Sequence, residues 1–467
     1  MERASHRKEK MKQGFLQVDL IEGKILKSMI IFMIPLLISN IFQQLYNAVD
    51  TVIVGHFLGD VSLAAIGACA PVYELLVGFG LGIGNGLGIV VAKCYGTGDE
   101  NYLKKSVFGS VVIGVGVTVA LMVISKVGLY PLLRLLQTPE DIIAEAYSYI
   151  SFVTMFVGVM FAYNLFAGLL RAIGNSVVPL LFLVFSSLLN IGLDILFIVG
   201  FGQGIRGAAV ATVIAQGISA VLCLFYIVKC TPILIPGKEH VKVEGSLYKE
   251  LLGQGLSMGL MLGIVSAGTV ILQAGINQMG YRTIAGHTAA RKIHGFCFMP
   301  FSALGVSLST FVSQNRGAGK TERIRKGVRY AHLLSLVVSG ILMLILMVGA
   351  PTLIWLLTGT KEAEVLRCGT WNLWINAPFY AVLGILLNLR NSLQGLGEKV
   401  VPLISSIIEL LGKIVFTWIF IPLLGYLGVI ICEPVIWFFM CTQLAWTYHK
   451  VMGEKKTERN YHEGRQI

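Results

Sequence analysis

The sequence predicts an all-α integral membrane protein, with twelve transmembrane helices in two six-helix bundles related by internal duplication. Three observations carry this. First, 55% of the 467 residues are hydrophobic and only 13% charged, where a soluble domain carries roughly 25% charged residues. So much apolar surface cannot hide in a water-soluble core, and the mean hydropathy of +0.76 says the same. Second, apolar stretches of about 20 residues, the length that crosses a bilayer, recur along the whole chain. Third, short patterns of the first half return in the second at a near-constant offset.

In chain order, a polar, basic tail (1–27) precedes the first apolar run, which is too long for a cleavable signal peptide. Spans are expected near 28–58, 61–92, 106–126, 143–168, 178–200 and 207–228, forming a first lobe over 28–228. A polar connector, 229–249, is expected to be the hinge between lobes. The second lobe, 250–448, holds spans near 250–279, 283–314, 327–349, 365–394, 401–423 and 427–448, and a second tail, 449–467, closes the chain. Pro35, Pro71, Pro300 and Pro434 are expected to kink their helices. The Gly-rich run 78–88 has the letters of a dinucleotide fingerprint without its strand or acidic partner, so close helix packing through small residues is the better reading.

Lys and Arg are distributed unevenly. Segments and span ends on the side of the N-terminus carry 28 of the 37, the opposite side 6, and Arg291, Lys292 and Lys413 fall within spans. The positive-inside rule then places both termini in the cytoplasm of a plasma membrane, a bacterial inner membrane in the simplest case. This distribution explains the net charge of +12 without a nucleic-acid partner. The eight cysteines stand singly with no C-x-x-C spacing, as packing residues do.

The duplication is visible in the residues. At an offset of 221, Gly59 meets Gly280 and the segment 96–98 meets 317–319; at 223, Gly174 and 178–180 meet Gly397 and 401–403. An even number of spans per repeat relates the halves by an axis along the membrane normal, a plan of alternating-access transporters.

Charges inside spans are functional candidates, because each costs a few kcal/mol or more there. Asp50 is the only formal charge between Lys27 and Asp60. With Glu74 and Asp194 it lies in a half that has no basic residue deep in a span to pair with. At 1.5 Å per residue, Asp50, Asp194 and Thr212 lie about 12, 9 and 8 Å below the outer ends of their spans, a shared level. Asn190, one turn from Asp194, completes an oxygen set that suits Na+, while a proton needs only a buried carboxylate. Asp50, Asn190, Asp194 and Thr212 are therefore the candidate cation site, with helix packing the competing role for each. Glu409 and Lys413, at i and i+4, read as a structural ion pair. Glu74, Tyr46, Asn164 and Gln273 are candidates for a substrate path. His287 and His294 lie in mid-span beside Arg291 with no carboxylate near in sequence, so no enzyme centre is expected.

The stretches "PLLISNIFQQLYNAVDTVIVGHFLG", "LLRAIGNSVVPL", "NIGLDILFIVGFG", "RGAAVATVIAQ" and "VSQNRGAGKTERIRKG" are similar to those of multidrug and toxic compound extrusion (MATE) transporters, from about Lys27 to Tyr448. The resemblance implies two six-helix bundles facing each other in a V. It implies a secondary antiporter that functions as a monomer, works by alternating access, and exports small organic, often cationic, substrates in exchange for Na+ or H+ without a cofactor. It also implies the cation site: Asp50 matches the aspartate of the first span in sodium-linked members, and Asn190, Asp194 and Thr212 match the spacing of the other ligands. Members of another branch carry a carboxylate on the seventh span, where this chain offers only Gln273 and Asn277. A flippase for lipid-linked oligosaccharides and a membrane-embedded transferase are the rival readings.

Overall fold

The computed structural model describes residues 16–463 except residue 137, so the outermost parts of both tails lie outside the described residues. The described chain is helical throughout, and its first seven helices are α1 (Ile25–Leu58), α2 (Asp60–Thr97), α3 (Glu100–Leu135), α4 (Glu140–Met155), α5 (Val157–Ala172), α6 (Val177–Ile195) and α7 (Ile205–Cys230). These are followed by α8 (Gly245–Ile276), α9 (Tyr281–Gly317), α10 (Thr321–Thr358), α11 (Ala363–Asn376), α12 (Tyr380–Gly395), α13 (Val400–Val415), the short α14 (Ile421–Leu424) and α15 (Tyr426–Glu463). Among the described residues, eleven helices are long and apolar enough to cross a membrane, and α4 with α5, bent by 46° at their junction, makes a twelfth span. This is a multi-pass membrane protein. Its outward apolar side chains agree: Val348 on α10 is 85% exposed, a surface that lipid rather than water would cover.

The chain divides into two compact units, Met1–Gly263 and Ile264–Ile467, so the division falls within α8. The connector 229–249, expected as a hinge, packs in the first unit. Leu234 is 1% exposed there and shares a core with Leu247, Leu251, Leu87 and Leu170. In each unit the second span is the central helix. The apolar windows of α2 and α9 are 61% and 67% buried, against 22% for α1 and α10.

Both units repeat one packing scheme, α2 against α3, α4 and α5 in the first and α9 against α10, α11 and α12 in the second. Gly59 and Gly280 join spans with φ of 81° and 84°, a backbone region that a side chain would strain. Wide helical turns at Leu196–Gly200 and Phe416–Phe420 follow α6 and α13. A Cβ on Gly207 would lie 3.1 Å from the Phe197 backbone, and one on Gly428 2.8 Å from the Phe420 carbonyl.

Pro35, Pro71, Pro300 and Pro434 stand inside α1, α2, α9 and α15, which continue as helix on both sides of them. The 46° bend between α4 and α5 falls at Phe156, whose N–H donates to the carbonyls of both Phe152 and Thr154 as the helix tightens. The Gly-rich run does pack closely. Gly82 and Gly86 lie so near α8 that a Cβ on either would stand 2.6 or 2.5 Å from the carbonyl of Met258 or Gln254.

Candidate functional site

Helices α1, α6 and α7 bring four of the predicted side chains together in the first unit. α1 packs on α6, and α6 on α7, along their apolar faces. Asp194 and Asn190 are 1% exposed and Thr212 7%, while Asp50 is half-buried. The carboxyl groups of Asp50 and Asp194 are within hydrogen-bonding reach of each other. Two carboxylates so close cannot both ionise unless a proton or a cation stands between them.

Asn190 decides how that pair is satisfied. With its amide nitrogen turned inward, Nδ2 donates to Asp50 Oδ1 at 2.8 Å and Asp194 Oδ2 at 3.1 Å, and Oδ1 accepts from the Thr212 backbone N–H at 3.3 Å. Turned by a half-rotation, the same position presents an oxygen, and three oxygens converge where only a cation could hold them. Asp194 Oδ1 has no hydrogen-bond partner among the described residues. A buried carboxylate oxygen left so is costly unless something binds it.

Tyr46, one turn before Asp50 on α1, donates its hydroxyl to Thr212 Oγ1 at 3.4 Å. It therefore forms a wall of the candidate cation site, whereas the sequence suggested it for a substrate path. Tyr73 on α2 and Tyr149 on α4 stand within electrostatic reach of Asp50, which nothing in the sequence announced. A cavity of about 10 Å³, lined by Gln43, Tyr46, Ser186, Asn190 and Gln216, adjoins the cluster and is of the order of one water.

The other candidates stand apart. Glu74 is exposed on α2. Asn164 Nδ2 donates at 2.8 Å to the Met160 carbonyl of its own helix, and Gln273 Nε2 donates at 2.8 Å to Asn277 Oδ1. In the second unit, Lys413 Nζ donates to Glu409 Oε1 at 2.9 Å and to Thr269 Oγ1 at 3.3 Å. Arg390, counted in the sequence among the charges near the membrane edge, is 8% exposed and has Nη2 3.8 Å from Glu409 Oε2. One carboxylate thus faces two buried cations. The expectation that His287 and His294 lack a carboxylate is also corrected, because α15, packed on α11, α12 and α13, sets Glu433 in the same small cavity.

Comparison with known proteins completes this picture. The MatE family model matches residues 35–196 and again 258–419, two segments 223 residues apart at both ends. The chain is 28% identical over 440 residues to the probable multidrug resistance protein YoeA of Bacillus subtilis, covering 92% of this chain and 94% of the relative. It is 27% identical to YpnP of the same organism over 88% of this chain and 92% of the relative, and 23% identical to the probable NorM of Thermotoga maritima over 83% of each. Among solved structures, a MATE protein in its bent conformation superposes with a TM-score of 0.87 at 22% identity, over 94% of this chain and 98% of that one. A MOP superfamily transporter from Pyrococcus furiosus gives the same TM-score, identity and coverage. With a family model matched twice, over more than half of its length, the chain belongs to the MatE family of multidrug and toxic compound extrusion transporters.

Proposed function

We propose that the protein is a secondary antiporter that exports small organic, often cationic, compounds across a bacterial plasma membrane in exchange for Na+ or H+. The observation that carries this reading is the Asp50–Asp194 pair bridged by Asn190. The multidrug resistance relatives support the export of organic compounds. In the ion-free state the amide nitrogen of Asn190 neutralises part of the repulsion between the carboxylates. Cation arrival turns the amide, so that its oxygen joins Asp50, Asp194 and Thr212 as ligands. A proton instead sits on one carboxyl and leaves the amide unmoved. Either event ties α1, α6 and α7 together, and release loosens them, which is the differential stabilisation that alternating access needs.

The test uses purified protein in vesicles, with a Na+ gradient and a pH gradient imposed separately and a fluorescent organic cation followed. Wild-type protein should move the cation with at least one gradient. Asp50→Asn and Asp194→Asn should fold and lose coupled transport, while Thr212→Ala should weaken the ion dependence only. Full gradient-driven transport by well-folded Asp50→Asn protein would overturn the proposal.

A further inference from the structure

The second unit holds a polar cluster that the first-unit site does not use. Tyr380 donates its hydroxyl to His294 Nδ1, and His294 Nε2 bonds Asn372 Oδ1 at 2.7 Å. Asn372 Nδ2 donates to the Tyr426 hydroxyl at 3.3 Å, and that hydroxyl lies 3.4 Å from His287 Nδ1. The asparagine fixes the direction of the chain. Because its oxygen accepts from His294, Nε2 of that ring carries the hydrogen; because its nitrogen donates to Tyr426, the phenol is free to donate to His287 Nδ1. The remaining hydrogen of His287 is then on Nε2. His287 is only 5% exposed, and its Nε2 has no hydrogen-bond partner among the described residues.

His287 lines a cavity of about 20 Å³ that also takes in Arg291, Asn376 and Glu433. Asn376 Oδ1 is a second buried atom there without a partner among the described residues. That volume is of the order of one or two waters and far too small for an organic substrate. A Na+ ion would meet the His287 N–H and the Arg291 guanidinium, both of which repel it. The lone cation that fits beside an N–H donor and a carboxylate is the proton.

We propose that Glu433 is a proton-binding carboxyl of the second unit, oriented by His287 through one water in this cavity. The repeat supports it independently. With Gly204 matched to Gly425 and Gly207 to Gly428, Glu433 takes the place that Thr212 holds in the first unit. The ionisable groups around it are His287, Arg291 and His294 on α9, Tyr380 on α12 and Tyr426 on its own helix. The helix α13, packed against α15, adds the Glu409–Lys413 pair, and α11 and α8 present only Asn372, Asn376 and apolar Leu272.

This inference stands apart from the first-unit site, so its test is made in an Asp50→Asn, Asp194→Asn background of the full chain. Infrared difference spectra between acid and alkaline buffer should show a carboxylic-acid C=O band that vanishes in Glu433→Gln. His287→Leu should displace the frequency of that band, and His287→Gln, which keeps an N–H donor, should bring it back toward the native position. Tyr426→Phe, a milder change that frees the His287 ring, should also displace it. Added Na+ at fixed pH should leave it unaltered. A spectrum unchanged by Glu433→Gln, a band unmoved in both His287→Leu and Tyr426→Phe, or a band removed by Na+ would each overturn the assignment.

Discussion

Lys413 is 3% exposed, and its ammonium is held by one carboxylate and one hydroxyl. Glu409 in turn faces Arg390, whose Nε donates to Ser405 Oγ at 3.1 Å and whose Nη2 has no hydrogen-bond partner among the described residues. Removing a charge from such a cluster costs according to what it strands. Glu409→Gln leaves two buried cations without a counter-charge and should cost about 3–5 kcal/mol, the loss expected on breaking a buried pair. Lys413→Met leaves Glu409 facing Arg390 and should cost clearly less. Adding Lys413→Met to Glu409→Gln should recover only part of the loss, because Arg390 stays unpaired. Thermal unfolding of the three purified variants in detergent checks the order, and a Lys413→Met protein less stable than Glu409→Gln would contradict it. Asp50→Glu separates the two coupling ions at the same scale. The extra methylene should be tolerated by a proton site and should impair an oxygen cage that fits Na+.

Small residues set how closely helices approach, and the 78–88 run shows which of them matter. Gly82 and Gly86 face Met258, Gly259, Gln254 and Gly255 of α8, whereas nothing lies within 4 Å of a Cβ placed on Gly84. Gly86→Ala should therefore lower stability by about 1–3 kcal/mol through overpacking against backbone that cannot move aside. Gly84→Ala should be neutral or slightly stabilising, since alanine is the better helix former. Folded yield after heating, read by size-exclusion chromatography, distinguishes the two, and equal losses would refute the packing argument. The period of these glycines was legible in the sequence, as were the helices themselves, because both depend on neighbours along one chain segment. Asp50, Asn190, Asp194 and Thr212 were legible through depth along their spans. The burial of Arg390 and the cavity that Glu433 shares with His287 were not. Each depends on contacts between residues far apart in sequence, such as the 139 residues between His287 and Tyr426.

At the scale of the molecule, duplication supplies two copies of one bundle, and divergence makes them unequal. The 223-residue spacing sets Lys413 where the first copy has Asn190, and Thr417 where it has Asp194. The second copy therefore carries its own ammonium at that level, and the paired carboxylates belong to the first. Which gradient reaches that pair depends on orientation. Asp50 stands eight residues before the end of α1 at Leu58, about 12 Å along the helix, nearer the end where few Lys and Arg lie. The charge asymmetry predicts that this face is the exterior. The native cysteines allow the assignment to be checked without engineering a site. Six of the eight are buried and Cys441 is half-buried, whereas Cys230 is exposed at the last residue of α7, on the opposite face. In intact cells a membrane-permeant maleimide should label Cys230, an impermeant one should not, and opening the cells should make it reactive to both. Cys230→Ser assigns the signal. Labelling by the impermeant reagent in intact cells would invert the protein, place Asp50 and Asp194 near the cytoplasm, and remove the inward cation gradient as the force that drives export.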